Sequence, residues 1–135
     1  MPEKVFTVQE AEALIPKLEQ IVEGLMDHKR NAMEIGQQLS RIQEQLKAGD
    51  KTVEATALPN KQTELEFLVK IINEGLDAIE ELGAEPKDLD LGLVDFPTII
   101  NGEEVLLCWK YGEKSITHYH GLRDGFAGRK RIQNG

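Results

Sequence analysis

The spacing of apolar residues changes once along this chain, near Pro86, and that change constrains the fold more than any other feature. Before Pro86 apolar residues recur every three or four positions, which is typical of helices, and after it they recur every second position, which is typical of strands. We therefore expect an α+β fold with a long antiparallel, coiled-coil-like helical hairpin over about 7–83. A three-stranded antiparallel β-meander and a tail should follow over about 90–135, and residues 1–135 should form a single domain.

Two sequence signals divide the first helical segment. Thr7 and Glu10 have the spacing of a capping box, so a helix should begin there. Pro16 should begin a second helix, because proline is tolerated in the first turn but not in the interior. Gly49-Asp50 should end that helix. It carries an unbroken apolar seam at steps of three and four, comprising Leu18, Ile21, Leu25, His28, Ala32, Ile35, Leu39, Ile42 and Leu46.

A further helix should follow the turn expected at Pro59-Asn60, with Asn60 as its N-cap, and should end at Gly83. Gly75 lies on its apolar face, where glycine is unfavourable for a helix, so it indicates a close approach of the two long helices. The longer helix should overhang the shorter one. The uncovered part of the seam predicts self-association, most simply as a homodimer.

The β region contains two turn signals. Asn101-Gly102 is the strongest short hairpin signal, and Gly112-Glu113 suits a second two-residue turn. The expected strands are Leu93–Ile100, a second that ends at Tyr111, and Lys114–His120.

This register determines which side chains share a face of the sheet. One face, expected to cover the helices, carries Val94, Phe96, Thr98, Val105, Leu107, Trp109, Ile116, His118 and His120. Asp95 and Cys108 lie opposite each other on the other face. A bulge of one residue would exchange part of this assignment.

The three histidines are the candidate metal ligands. His118 and His120 point the same way along one strand, and His28 in the helical seam is a candidate third ligand. We interpret the three histidines as structural residues. Binding of a divalent transition metal by them is an alternative that we do not favour. Cys108 is interpreted as a buried structural residue, because the neighbouring Asp95 should raise its thiol pKa and the histidines lie on the opposite face.

Four other residues are candidates for a small-ligand site between the sheet and the helices, namely Asp95, Trp109, Glu113 and Arg129. Arg129 lies in a basic C-terminal block and is also expected to anchor the tail by pairing with Asp95 or Glu113.

Charge and composition limit the classes of partner. The formal net charge of -8 disfavours binding to nucleic acid. The chain has one cysteine, no basic leader followed by an apolar run, and no apolar run of membrane-spanning length. We therefore expect a cytoplasmic protein without membrane association.

Four motifs are similar to those of a family of small bacterial proteins of unknown function. They cover nearly the whole chain and read F-T-x-x-E-A from Phe6, G-L-V-D-F-P from Gly92, L-C-W-x-x-G-E from Leu107 and G-F-A-G-R from Gly125. The family pattern also includes a histidine, which His120 matches. The resemblance implies bacterial origin and a shared fold, but no activity.

Two functions from different classes are consistent with these observations. The preferred one is a non-enzymatic interaction or scaffold module that self-associates through its helical hairpin. The alternative is a small-ligand or metal-binding protein, conceivably an enzyme, with a site between the meander and the helices.

Overall fold

Residues 4–133 form three α-helices followed by an antiparallel sheet. A computed structural model describes residues 4–133, so the outermost residues of the expected domain, 1–3 and 134–135, lie outside it. The helices are α1 Val8–Ala13, α2 Ile15–Lys47 and α3 Ala57–Glu81. The strands are β1 Glu85–Asp88, β2 Leu93–Ile100, β3 Glu103–Lys110, β4 His118–Gly121 and β5 Lys130–Arg131, with a 3-10 turn at Phe126–Gly128. This order confirms the α+β class.

The start of the helical region follows the sequence signals. The Thr7 hydroxyl accepts a hydrogen bond from the Glu10 amide at 3.0 Å, and the Thr7 amide donates to Glu10 Oε1 at 2.9 Å, which completes the predicted capping box. Leu14 separates α1 from α2, and Pro16 lies in the first turn of α2, as expected. None of the helices described within residues 4–133 has the length and apolar composition that crossing a membrane requires.

The beginning of α3 differs from the prediction. The helix begins at Ala57 after Thr56, so the turn expected at Pro59-Asn60 is wrong. Pro59 instead lies in the first turn of the helix, where a missing amide hydrogen costs nothing because those amides have no partner within the helix.

The long helices α2 and α3 contact each other closely at Gly75. A Cβ atom added to Gly75 would lie 2.5 Å from Leu25 Cδ2, so only glycine fits against this leucine without movement. The close approach predicted from Gly75 is therefore confirmed.

The sheet has five strands in the order β1-β2-β3-β4-β5, so the prediction of three strands is wrong. The predicted hairpin at Asn101-Gly102 is present: Ile100 pairs with Glu103, and the two turn residues have φ values of 51° and 80°. The additional strands lie at the two edges of the sheet. β1 contains Pro86, which an edge strand tolerates, and β5 has only two residues, so neither shows an alternating pattern.

The second connection is longer than the two-residue turn expected at Gly112-Glu113, and this changes the register of β4. A two-residue turn there would place Val105 opposite His120, but Val105 pairs with Gly121 and Leu106 pairs with His120. The shift of one residue moves both predicted histidines to the face that carries Asp95. The predicted face assignment of His118 and His120 is therefore wrong.

The main core lies between the helices and one face of the sheet. Residues of α1, α2 and α3 pack there against Val94, Phe96, Leu107 and Trp109, all of which are buried. Ile116 joins this core as expected, although it lies outside a strand. The other face of the sheet, here called the outer face, is turned away from this core and is also buried at its centre.

Candidate metal centre

Three potential metal ligands meet on the outer face, one from each of three neighbouring strands. Asp95 of β2 pairs with Cys108 of β3, and His120 of β4 pairs with Leu106, two residues along from that cysteine. One ligand atom from each of the three side chains lies within 4.8 Å of the others. Among residues 4–133 this is the one group of three or more histidine, cysteine, aspartate or glutamate side chains that converges in this way.

The three side chains are almost completely removed from solvent. Asp95 and Cys108 are each 1% exposed and His120 is 3% exposed. They line a cavity of about 220 Å³, whose lining also includes Leu122, Arg123, Gly125 and Phe126. Burial of this kind is unusual for an ionisable group and requires a compensating partner.

The orientation of His120 leaves one ring nitrogen for the cluster. Its Nδ1 lies 2.9 Å from the carbonyl oxygen of Gly121, which can only accept, so Nδ1 carries the proton and donates it. Nε2 therefore faces Asp95, with 2.9 Å between Nε2 and Oδ2. Asp95 Oδ2 is buried, and the His120 nitrogen beside it forms an ion pair with it only when that nitrogen is protonated.

Burial and mutual proximity shift the protonation of two members of the cluster. Burial raises the pKa of Asp95, and the nearby His120 only partly offsets this effect. Burial, followed by the charge of Asp95, raises the pKa of the Cys108 thiol to about 12. In the absence of a cation the thiol is therefore protonated at neutral pH, as the sequence analysis expected from its acidic neighbour.

Glu113 and Arg129 form an ion pair beside the cluster rather than within it. The Arg129 guanidinium donates to Glu113 Oε1 and Oε2 at 3.2 and 3.1 Å and lies 3.4 Å from the carbonyl oxygen of Cys108. It also lies over the ring of Phe126, with 4.9 Å between Cζ and the ring centroid. The tail is thus anchored through Glu113, one of the two carboxylates proposed for Arg129.

The remaining candidates do not join the cluster. Trp109 is fully buried on the opposite face of the sheet, where its indole Nε1 donates to the carbonyl oxygen of Glu113 at 2.9 Å. His118 is half-buried and its Nδ1 lies 2.8 Å from Thr117 Oγ1. His28 lies on α2, which packs against the opposite face. The structure thus brings together Asp95 and His120 from the predicted residues, and it adds Cys108.

The sequence contained one signal that pointed to Cys108. Its pairing with Asp95 across the Asn101-Gly102 hairpin follows from that turn alone, and the structure has this pairing. The expectation that Cys108 and the histidines lie on opposite faces is wrong, because it depended on the length of the second connection.

The fold and the cluster together define a small α+β protein with a buried Asp-Cys-His group on the outer face of its sheet. Over residues 4–132 the chain matches the family described as uncharacterized conserved protein (DUF2203), and it belongs to that family. No curated protein and no solved structure matches the chain significantly.

Proposed function

We propose that this protein binds a divalent transition metal, with zinc the best fit, through Asp95, Cys108 and His120. The observation that carries the proposal is the convergence of a buried carboxylate, thiol and imidazole, whose ligand atoms lie within 4.8 Å of one another. Buried negative charges are costly in a folded protein unless they are compensated, and one cation would compensate both the Asp95 carboxylate and a Cys108 thiolate. This function is the alternative considered in the sequence analysis, with a different set of ligands.

The donor atoms suit zinc. Carboxylate oxygen, thiolate sulfur and imidazole nitrogen bind zinc at about 2.0–2.3 Å. Small side-chain adjustments would bring three atoms that already lie within 4.8 Å of one another to those distances. The hydrogen bond from His120 Nδ1 to the Gly121 carbonyl is typical of metal-binding histidines, because it presents Nε2 to the ion.

Charge balance supports a divalent ion. A carboxylate at Asp95 and a thiolate at Cys108 supply two negative charges, which one divalent cation neutralises in a buried site. Burial raises the pKa of both groups, and a bound cation would oppose this effect by stabilising their negative charges. Because metal binding must displace the thiol proton, affinity should rise with pH across the neutral range. We propose a reducing, cytoplasmic compartment, which would keep this thiol available.

Three protein ligands leave one position of a tetrahedral site open. Structural zinc sites use four protein ligands, whereas sites that bind a further molecule keep the fourth position free. The cluster lines a cavity, so a water molecule or a small ligand could complete the coordination.

Zinc binding can be tested by measuring the metal content and the metal affinity of protein purified without a histidine tag. We expect one zinc ion per chain, and a loss of affinity of about a hundredfold or more in Cys108→Ser and in His120→Gln. His118→Gln is the matched control, since His118 lies on the same strand outside the cluster, and its affinity should stay within about twofold of the wild type. Failure of wild-type protein to bind zinc or cobalt stoichiometrically would refute the proposal, as would equal losses in the His118 and His120 variants.

Self-association through the helices is a second candidate function. Beyond Leu25, α2 has no fully buried residue, although its apolar seam continues. We call this continuation the distal seam, comprising Ile35, Leu39, Ile42 and Leu46. Nearby Met33 and Phe67 are 58% and 62% exposed. These residues support a coiled-coil-like antiparallel hairpin of α2 and α3 whose far end is covered by a second copy of the chain.

A further inference from the structure

The cavity beside the Asp-Cys-His cluster has a lining that selects for one class of ligand. Its volume of about 220 Å³ is below the range of about 300–1,000 Å³ that is usual for drug-sized ligands, so its occupant must be small. Besides the cluster it is lined by two cationic side chains, Lys87 and Arg123. The rest of the lining comprises Leu93, Leu106, Leu122, Gly125 and Phe126.

The charges around the cavity favour a single negative charge on the ligand. A divalent metal is neutralised by Asp95 and Cys108, which leaves the two cationic residues. Lys87 forms an ion pair with Glu85, with 3.3 Å between Lys87 Nζ and Glu85 Oε2. Among residues 4–133 no carboxylate oxygen lies within 4.0 Å of the Arg123 guanidinium. Arg123 is exposed and lacks such an ion pair, so its charge is available to a ligand in a protein whose formal net charge is -8.

The apolar part of the lining distinguishes between small anions. Leu93 and Leu106 are buried, and Phe126 is half-buried beside them. Inorganic phosphate would place charged oxygens against these side chains and leave them without partners. A short alkyl group would remove the same surface from water. The planar guanidinium of Arg123 matches a carboxylate in shape.

We propose that the cavity binds a short-chain monocarboxylate, with one carboxylate oxygen in the open metal position and the alkyl group against the leucines. This inference rests on the proposed function, because the metal supplies the first contact. Arg123 is the second contact and selects for the negative charge. The site thereby discriminates by charge at one end of the ligand and by chain length at the other.

The experiment uses the full chain loaded with cobalt(II), whose visible spectrum reports changes in coordination. Butyrate, acetate and phosphate are titrated separately at pH 7. We expect saturable spectral changes with the carboxylates, and about tenfold tighter binding of butyrate than of acetate because two further methylene groups are buried. Phosphate should bind more weakly than butyrate.

Variants separate this inference from the proposed function. Arg123→Gln should weaken butyrate binding about tenfold and leave the affinity for cobalt(II) within about twofold. Arg131→Gln is the matched control, since Arg131 is exposed and does not line this cavity. If cobalt(II) does not bind at all, the proposed function fails and this inference fails with it. If cobalt(II) binds but butyrate leaves the spectrum unchanged, or if phosphate binds more tightly than butyrate, only this inference is overturned.

Discussion

Cys108 shows how strongly its surroundings determine the chemistry of a side chain. The residue is almost fully buried and lies beside a carboxylate, and both effects disfavour the thiolate. A thiol in this state is a poor nucleophile, yet it becomes a strong ligand once a cation displaces its proton. The same residue can therefore be inert in the metal-free protein and essential in the metal-bound one.

The raised pKa of Cys108 predicts slow alkylation of its thiol. With a pKa of about 12, only about one thiol in ten thousand is ionised at pH 8, whereas an ordinary cysteine is ionised to roughly a quarter. Metal-free protein should therefore react with iodoacetamide about a thousandfold more slowly than free cysteine. The rate can be followed by mass spectrometry, and unfolding in urea should restore the ordinary rate. If the folded protein reacted at a rate close to that of free cysteine, the effects expected from the burial of Cys108 and from the charge of Asp95 would be contradicted.

At the scale of elements, a single connection determines which side chains can form the site. Between β3 and β4 the chain is held by Glu113, whose Oε1 accepts from the Lys110 amide at 2.7 Å and whose carboxylate pairs with Arg129. The Trp109 indole also donates to the Glu113 carbonyl. We expect these contacts to maintain the longer connection and thereby to keep His120 on the same face as Asp95.

Glu113→Ala should therefore affect both stability and metal binding. Loss of the acceptor for the Lys110 amide and of the partner of Arg129 should lower the free energy of unfolding by about 2 kcal/mol, measured by urea denaturation. Zinc affinity should also fall, because β4 is held less firmly in register. Glu103→Ala is the control, since Glu103 is exposed at the first hairpin and should change stability by less than about 0.5 kcal/mol. An unchanged zinc affinity in Glu113→Ala would show that the connection does not position His120.

The close approach of α2 and α3 predicts opposite effects on stability for two glycine-to-alanine substitutions. A methyl group at Gly75 would collide with buried Leu25, whereas nothing lies within 4 Å of a Cβ at Gly36. Gly36→Ala should raise the free energy of unfolding by about 1 kcal/mol through helix propensity. Gly75→Ala should lower it by about 1 kcal/mol, because overpacking outweighs that gain. Thermal and urea denaturation distinguish the two, and equal stabilisation of both variants would disprove the close contact.

At the scale of the whole molecule, burial is concentrated at one end of the helices. The buried residues of α2 are Ile15, Leu18, Val22 and Leu25, all on the part that packs against the sheet. In the distal seam, Ile35, Leu39 and Ile42 are half-buried and Leu46 is 44% exposed. A second copy would bury these residues further, since identical chains can cover identical seams with two-fold symmetry.

Sedimentation velocity over a range of concentrations tests this expectation. Wild-type protein should sediment as a dimer at high concentration, and Phe67→Lys should weaken the association by about tenfold or more. Phe67 is 62% exposed, so this substitution should leave the folded chain intact. Gln62→Lys is the matched control on the same helix, because it adds the same charge at an exposed polar position. Monomeric wild-type protein at every concentration would exclude the dimer.

Features that depend on neighbours in the chain were predictable from the sequence. The capping box at Thr7, the break before Pro16 and the hairpin turn at Asn101 all involve residues within a few positions of one another. The change of period near Pro86 likewise determined that helices precede strands. The pairing of Asp95 with Cys108 followed from a two-residue turn, because such a turn permits only one register of the two strands that it joins.

Features that depend on contacts between distant segments required the tertiary structure. The edge strands β1 and β5 have no periodic pattern, because they are short and pair on one side only. The connection before β4 makes contacts with distant segments, among them the pairing of Glu113 with Arg129, sixteen positions further along. Since successive strand residues point to opposite faces, a difference of one position decided whether His120 joined Asp95 and Cys108. The sequence by itself determined which residues were available for a site, and the tertiary register decided which of them meet.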